Sequence, residues 1–342
     1  MESPGVVHRP HHPHLALDDA RAARRAEEHA RIARGALGSH EIGVQEHLRV
    51  REGRVIGRTG ASLSTRYGAT GYLGFFEVDL GYPDREAVAA DLIDAGCTWL
   101  RGQGVKKVYG PVDVATWFNY RFRVPTTDTA GDDAEPPFAW EPVNPPEYVR
   151  WFVDAGFTDA DHYHSVGFRT ADAGLVDLVV ATRVVHDEAR DRGFTFRSLD
   201  PARLSADALL LYTLSMDAFR DSFLFEPIPV ELFRTLYAAA GWGEERFVYF
   251  VLDPEGREVG FALAFVDRGY AVVKTIAIHP EFRRQRLSTA LMHLVFRAMS
   301  ARGLRQAISA LVRAGNTSEF LAMPHLGVRA WQHDYALFET SL

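Results

Sequence analysis

One order of elements occurs twice in this chain of 342 residues, at an offset of about half its length, and that repeat constrains the fold more than any other feature. In the first half, Glu46 to Val50 and Val55 to Arg58 are strand-like runs around Arg51-Glu52-Gly53-Arg54, a hairpin signal. Gly71 to Val78 is a further aromatic strand. From Asp84, apolar Val88, Leu92 and Trp99 recur at helical spacing, Gly102 and Gly104 end the run, and Lys106 to Tyr109 reads as another strand. In the second half, Phe247 to Leu252 and Val259 to Val266 bracket the turn Asp253-Pro254-Glu255-Gly256, and Tyr270 to Ile278 is a strongly apolar strand. Leu287, Leu291, Leu294 and Ala298 then mark a helix that Gly303 closes, and Gln306 to Val312 is the next strand. Each half ends alike: Asn144 precedes a helix stopping at Gly156-Phe157, Asn316 precedes one stopping at Gly327, and a final strand follows both.

The halves differ in one place. A far longer segment separates Gly104 from Asn144 than Gly303 from Asn316, so the first half carries an insertion, Val112 to Val143. It holds the aromatic run Trp117 to Phe122 and an acidic, Pro/Gly-rich stretch from Asp128 to Pro137; loops of that length are usually functional or mobile. Thr182 to Arg192, charged and weakly periodic, reads as a linker. The expected organisation is therefore a tail and a solvated helix (Asp18 to Ala36) within residues 1–40, a first domain over 41–181 and a second over 193–342.

Composition narrows the function. Hydrophobic residues at 47% and charged residues at 24% suit a globular chain with a sizeable core. Lys+Arg 38 against Asp+Glu 45 gives a net charge of -7, which weighs against nucleic acid as the main partner. The single cysteine, Cys97, can form no internal disulfide and no zinc cage, which fits a reducing compartment; cytoplasm is the expected location and no metal is expected. No segment has the length of a signal-peptide core or a membrane span, so no membrane partner is expected. His8, His11, His12 and His14 read as a terminal tail rather than a ligand set. Only three lysines occur, Lys106, Lys107 and Lys274, which makes each of them informative.

The chemistry concentrates between Val272 and Leu291, where a buried strand runs through a short basic loop into an amphipathic helix with Ser288 or Thr289 in its first turn. Free backbone N–H groups of a helix start, its positive dipole end and Arg283, Arg284 and Arg286 would together favour a pyrophosphate. The plainer alternative is a strand-loop-helix connection with solvated arginines. In the first half the same loop reads Gly81-Tyr82-Pro83-Asp84-Arg85-Glu86, whose carboxylates would repel phosphate.

The run Ile278-His279-Pro280-Glu281-Phe282-Arg283-Arg284 and the apolar helix after it resemble the acyl-CoA loop of GCN5-related N-acetyltransferases (GNATs). Arg283 matches the first position of that motif, but Arg286 stands where its first glycine is expected and Ser288 where its second is. The resemblance implies an α/β fold of two tandem acyl-CoA N-acyltransferase domains, each a mixed, mostly antiparallel sheet flanked by helices, of the bacterial two-domain type. It covers most of residues 42 to 342, with one strong and one degenerate half. It implies that Tyr270 to Ile278 splays from its neighbour, freeing the Ile276 amide to polarise a thioester carbonyl and the Ile278 amide to hold pantetheine. Pyrophosphate would then lie on Arg283, Arg284, Gln285, Arg286, Leu287, Ser288 and Thr289.

A glutamate base found in some members is replaced by Val272. Asn316 matches the asparagine before the last helix, at the catalytic and coenzyme site, but Met323 replaces the tyrosine seven residues on; Ser318 or a water could substitute for it. Lys274 would either reach an acidic group of the substrate or snorkel at a strand edge. Glu226, in the mixed acidic and aromatic stretch Asp217 to Pro227, is the candidate for amine recognition or proton removal, against the reading that these charges are solvated helix ends. The resemblance thus implies transfer of an acyl group from acetyl-CoA or another acyl-CoA, or from an acyl carrier protein, to an amine of a small molecule. The rival readings are an aminoacyl-tRNA-dependent peptidyl transferase and a non-catalytic acyl-CoA-binding or scaffold protein.

Overall fold

The computed structural model describes residues 44–126, 135–169, 172–238, 245–316 and 328–342. The chain divides into two compact units, Met1–Glu41 and Ile42–Leu342; the first, with the expected helix from Asp18 and the histidine tract, lies outside the described residues. Twelve strands of the second unit join in one sheet. The first half supplies β1 (Val44–Arg51), β2 (Arg54–Leu63), β3 (Thr70–Val78), helix α1 (Arg85–Gly102), β4 (Lys107–Gly110), the short β5 (Phe122–Val124), α2 (Pro146–Asp154) and β6 (Thr158–Arg169). After α3 (Asp172–Asp191), the second half supplies β7 (Thr195–Ser198), α4 (Leu204–Phe219), α5 (Val230–Ala238), β8 (Arg246–Leu252), β9 (Glu258–Asp267), β10 (Tyr270–Ile278), α6 (Leu287–Ala301), β11 (Gln306–Arg313) and β12 (Val328–Ser341).

The strand order β1-β2-β3-β4-β12-β6-β11-β10-β9-β8-β7 shows how the halves join. Each half has an antiparallel set closed by one parallel pair, β3 with β4 and β10 with β11. The final strands are exchanged: β6 pairs with β11 of the second half, and β12 pairs with β4 of the first. β6 and β12 pair with each other along most of their length, so the sheet is continuous across the junction.

Three apolar clusters hold this arrangement. One face of the second half is covered by α6, whose Leu287, Leu291, Val295, Phe296 and Met299 pack with α3 against Val166, Ala271 and Ala307. Each such leucine removed from water contributes about 1.5–3 kcal/mol. In the first half, α1 and α2 pack Leu92, Leu100, Trp151 and Phe152 on Leu73, Phe76 and Val108. Between them lies a tyrosine-rich cluster of Tyr72, Tyr109, Tyr163, Tyr335 and Leu224, contributed by both halves. The segment expected as a linker at Thr182 to Arg192 is instead the second part of α3: Leu178, Val185 and Ala189 bury a narrow stripe against α6 while the charges face outward. No helix among the described residues is long and apolar enough to cross a membrane.

Candidate functional site

β10 and β11 pair only from Tyr270 with Gln306 to Val273 with Ser309. Beyond that point β10 continues along β9, whereas β11 bulges at Ala310 and Leu311 and turns to β6, the Leu311 amide donating to Ser165 Oγ at 2.8 Å. The two strands therefore part. Hydrogen bonding alternates along an antiparallel ladder, and the His279 amide donates to Val259 O at 2.8 Å, so Ala277 and Thr275 also face β9. The Ile276 and Ile278 amides consequently face the opening between β10 and β11.

The first half repeats the geometry and closes it. There Asp79, the counterpart of His279, donates to Ile56 O at 2.9 Å. The Val78 amide, counterpart of Ile278, donates to the Tyr148 hydroxyl at 3.0 Å, and the Phe75 amide to Asp113 Oδ1 at 2.6 Å. A Cβ on Gly74 would lie 2.2 Å from Val112 O, so this chain's own backbone fills the gap. Burial pushes the Asp113 carboxyl up to about 7, against the lowering effect of the Phe75 amide.

After β10 in the second half, His279 caps a 3-10 turn at Pro280–Phe282, and the loop reaches α6 through two left-handed residues, Arg284 (φ 65) and Arg286 (φ 61). Arg286 is the N-cap residue, with no side-chain cap bond and no acidic residue in the first turn, so no capping side chain takes the first-turn amides of Leu287, Ser288 and Thr289. The loop is braced on three sides. Arg283 donates to Ala218 O at 2.6 Å, Arg286 pairs with Glu188 at 3.1 Å, and Arg192 donates to Gln285 O at 2.9 Å. Arg283 and Arg286 thus hold the loop to α4 and α3, while Arg284 is exposed.

Lys274 is the extra residue at a bulge of β10, between Val273 and Thr275. Its ammonium lies over the rings of Trp140 (5.0 Å) and Tyr237 (5.4 Å). Burial and the nearby Arg121 guanidinium push it down to about 8. Trp140 is delivered by the insertion, whose end clamps the β9–β10 turn through Ala139 N to Asp267 (2.8 Å) and Arg268 to Pro136 O (2.9 Å). Tyr237 stacks on Phe233, and burial raises its hydroxyl.

Glu226 departs from expectation. It is buried, and its carboxylate accepts from Ser64, from Thr65 Oγ1 at 2.6 Å and from the Tyr72 hydroxyl at 2.9 Å, all in the first half. Trp117 Nε1 donates to its carbonyl at 2.7 Å. It latches one half to the other, because its lone pairs are occupied by hydroxyls rather than turned to the opening. Val272 is fully buried, so no base stands there. The Asn316 amide closes the turn after β11 on Arg313 O at 3.1 Å; Ser318, Met323 and the expected helix between Asn316 and Gly327 lie outside the described residues. Sequence reasoning passed over Arg121, Trp140 and Tyr237. The available signal was one cation, Arg121, inside the aromatic run of the insertion.

Two related halves, each with a parallel strand pair whose strands are joined by a helix, make this a tandem acyl-CoA N-acyltransferase fold. A family model described as "Acetyltransferase (GNAT) domain" matches residues 183–313. Among solved structures, a tandem GNAT protein from the clavulanic acid biosynthesis pathway is 14% identical over 88% of this chain and 83% of its own, with a TM-score of 0.50. A protein of unknown function from Enterococcus faecalis, described as a probable N-acyltransferase, is 8% identical over 93% of this chain and 70% of its own, at 0.52. The glucosamine N-acetyltransferase region of a fungal multi-domain β-N-acetylglucosaminidase is 13% identical over 87% of this chain and 33% of its own, at 0.53. At such identities the likeness to solved structures is one of fold. No curated protein sequence matches the chain. The match to a GNAT domain thus lies in the second half, at residues 183–313, and the fold of the whole is that of tandem GNAT proteins.

Proposed function

We propose that the chain is an N-acyltransferase whose second half, residues 193–342, takes acyl-CoA as donor, and whose first half, residues 41–181, shapes the acceptor side. The observation that carries this reading is the contrast between the two strand openings: the first is plugged by Asp113 and Tyr148, whereas the Ile276 and Ile278 amides face an opening that no side chain among the described residues enters as a hydrogen-bond partner. The residues present fit the donor. Leu287, Ser288 and Thr289 offer first-turn amides to pyrophosphate, with Arg284 adding charge, and Ile278 offers its amide to pantetheine. Bound acyl-CoA supplies an activated thioester.

The Ile276 amide is assigned the thioester carbonyl oxygen, where it would stabilise the charge that develops as an amine attacks. Holding the amine against the thioester would supply much of the remaining rate. With Val272 in the core and Glu226 engaged elsewhere, we assign proton removal to neither. Asn316 is retained at the coenzyme end of the site, and an acyl carrier protein remains an alternative donor, since it presents the same pantetheine arm. The reading places the protein in the cytoplasm. A second reading, a non-catalytic acyl-CoA binder, is favoured by Val272 and by the strained Arg286 at the phosphate loop.

Calorimetry with acetyl-CoA and longer acyl-CoAs tests the donor: binding is expected, and absence of binding to all of them would sink it. Thiol release in the presence of an amine panel tests the chemistry. Binding without release across the panel would favour the second reading.

A further inference from the structure

Arg121 is buried, 6% exposed, yet its Nε and Nη1 atoms have no hydrogen-bond partner, and it forms no ion pair among the described residues. Its guanidinium lies 3.8 Å from the ring centre of Tyr120 and 4.1 Å from that of Tyr163. Aromatic faces ease the burial of a cation but accept no N–H bonds in its plane, so two donors remain unsatisfied. A buried charge of this kind is costly unless an anion completes it. Its backbone is held too, with φ 73 and its amide on Pro111 O at 3.0 Å.

The position matters as much as the cost. Val166 and Phe168 of β6 and Ala271 of β10 pack in the α6 cluster, so Tyr163, by alternation, and Lys274, by its rings, belong to the opposite face. They stand on either side of β11, where that strand leaves β10. Tyr163 pairs with Arg313 of β11 and Val273 with Ser309, and the Arg121 guanidinium is near enough to help push the Lys274 ammonium down. Arg121 on Tyr163 and Lys274 between Trp140 and Tyr237 therefore flank the opening that the Ile276 amide faces, and the insertion contributes both Arg121 and Trp140.

We propose that the acceptor is an amine that carries a carboxylate, and that Arg121, with Lys274 beside it, receives that carboxylate at the junction of the two halves. A guanidinium matches a carboxylate in plane and in donor geometry, whereas the aromatic rings around both cations exclude water and would favour a compact acid over a polyanion. The proposal rests on the acyltransferase reading, since it places the amine at the thioester side of the same opening. Arg121 would be a binding residue, not an acid or base.

The test uses the full chain saturated with CoA and four probe pairs: glycine, β-alanine, 4-aminobutyrate and L-glutamate, each against its primary amide. Calorimetry is expected to give at least one acid tenfold tighter binding than its amide in the wild type. Arg121→Met should bring that ratio within twofold, and Arg121→Lys should restore part of it. The thermal midpoint of ligand-free Arg121→Met should equal or exceed that of the wild type, because an unpaired buried charge has been removed. No acid preferred to its amide, or a preference that survives in Arg121→Met, overturns the proposal. So does a fall in the midpoint of Arg121→Met with the preference intact, which would make Arg121 an aromatic clamp. CoA affinity, measured first in each protein, separates this failure from failure of the donor assignment.

Discussion

Arg286 gives the sharpest test of the loop. It holds φ 61 and ψ 17 at the start of α6, and its carbonyl already accepts from Ala290 N at 3.1 Å, so the conformation is locked by the helix it opens. An L-residue in the left-handed region costs roughly 1–2 kcal/mol through its Cβ, whereas glycine gives back about 0.5–1 kcal/mol of that as chain entropy. The ion pair with Glu188 is exposed on both sides, at 61% and 52%, and such pairs contribute about 0–1 kcal/mol. Comparing Arg286→Gly with Arg286→Ala removes the ion pair from both and isolates the backbone. The glycine variant should be the more stable by about 1 kcal/mol, a rise of roughly 1–3 °C in thermal midpoint for a chain of this size. Differential scanning calorimetry of the two variants reads the difference. An alanine variant as stable as the glycine variant would refute the argument that this position is strained. Glycine should also bring the first-turn amides closer to a phosphate, so CoA affinity should rise several-fold relative to alanine.

Three further outcomes are expected. Glu226→Gln leaves at least one of the Ser64, Thr65 and Tyr72 hydroxyls short of its acceptor and should cost about 2 kcal/mol in urea unfolding; unchanged stability would remove the latch between the halves. Asp113, pushed up to about 7 from 3.8, holds a proton in the folded protein that the unfolded chain releases. Its contribution to stability is therefore full below about pH 4 and lost as pH rises through about 7, and Asp113→Asn should flatten the decline across that window. Gly167→Ala would set a Cβ 2.1 Å from the Trp331 ring, where β6 meets β12; overpacking there should cost at least about 1–3 kcal/mol, read as a lower thermal midpoint, and a neutral result would place β12 elsewhere.

Short-range signals were legible. The hairpin turns at Glu52-Gly53 and Glu255-Gly256, the glycines after α1 and α6, and the stripe of Leu287, Leu291 and Ala298 each depend on neighbours a few residues away, and the elements form where those signals stand. The opening between β10 and β11 was inferred from the resemblance carried by residues 278–284, and its counterpart in the first half was recognised as lacking a basic loop. α3 was missed at Thr182 because only a narrow stripe of it is buried, so charges dominate its composition.

By itself the sequence determined the number of halves, the order of their elements and which half carries the basic loop, because periodicity, turn chemistry and charge are local properties. Only the tertiary structure decided which strand lies beside which. β6 and β12 each end a half and either could lie beside its own β4 or β11; side chains distant in sequence choose, with Trp331 over Gly167 and Tyr335 bonded to both Ser165 and Glu141. The same long-range packing turned Glu226 from a candidate base into a latch and buried Arg121 beside Lys274, since a charged residue takes its role from whatever the fold brings within a few ångströms of it.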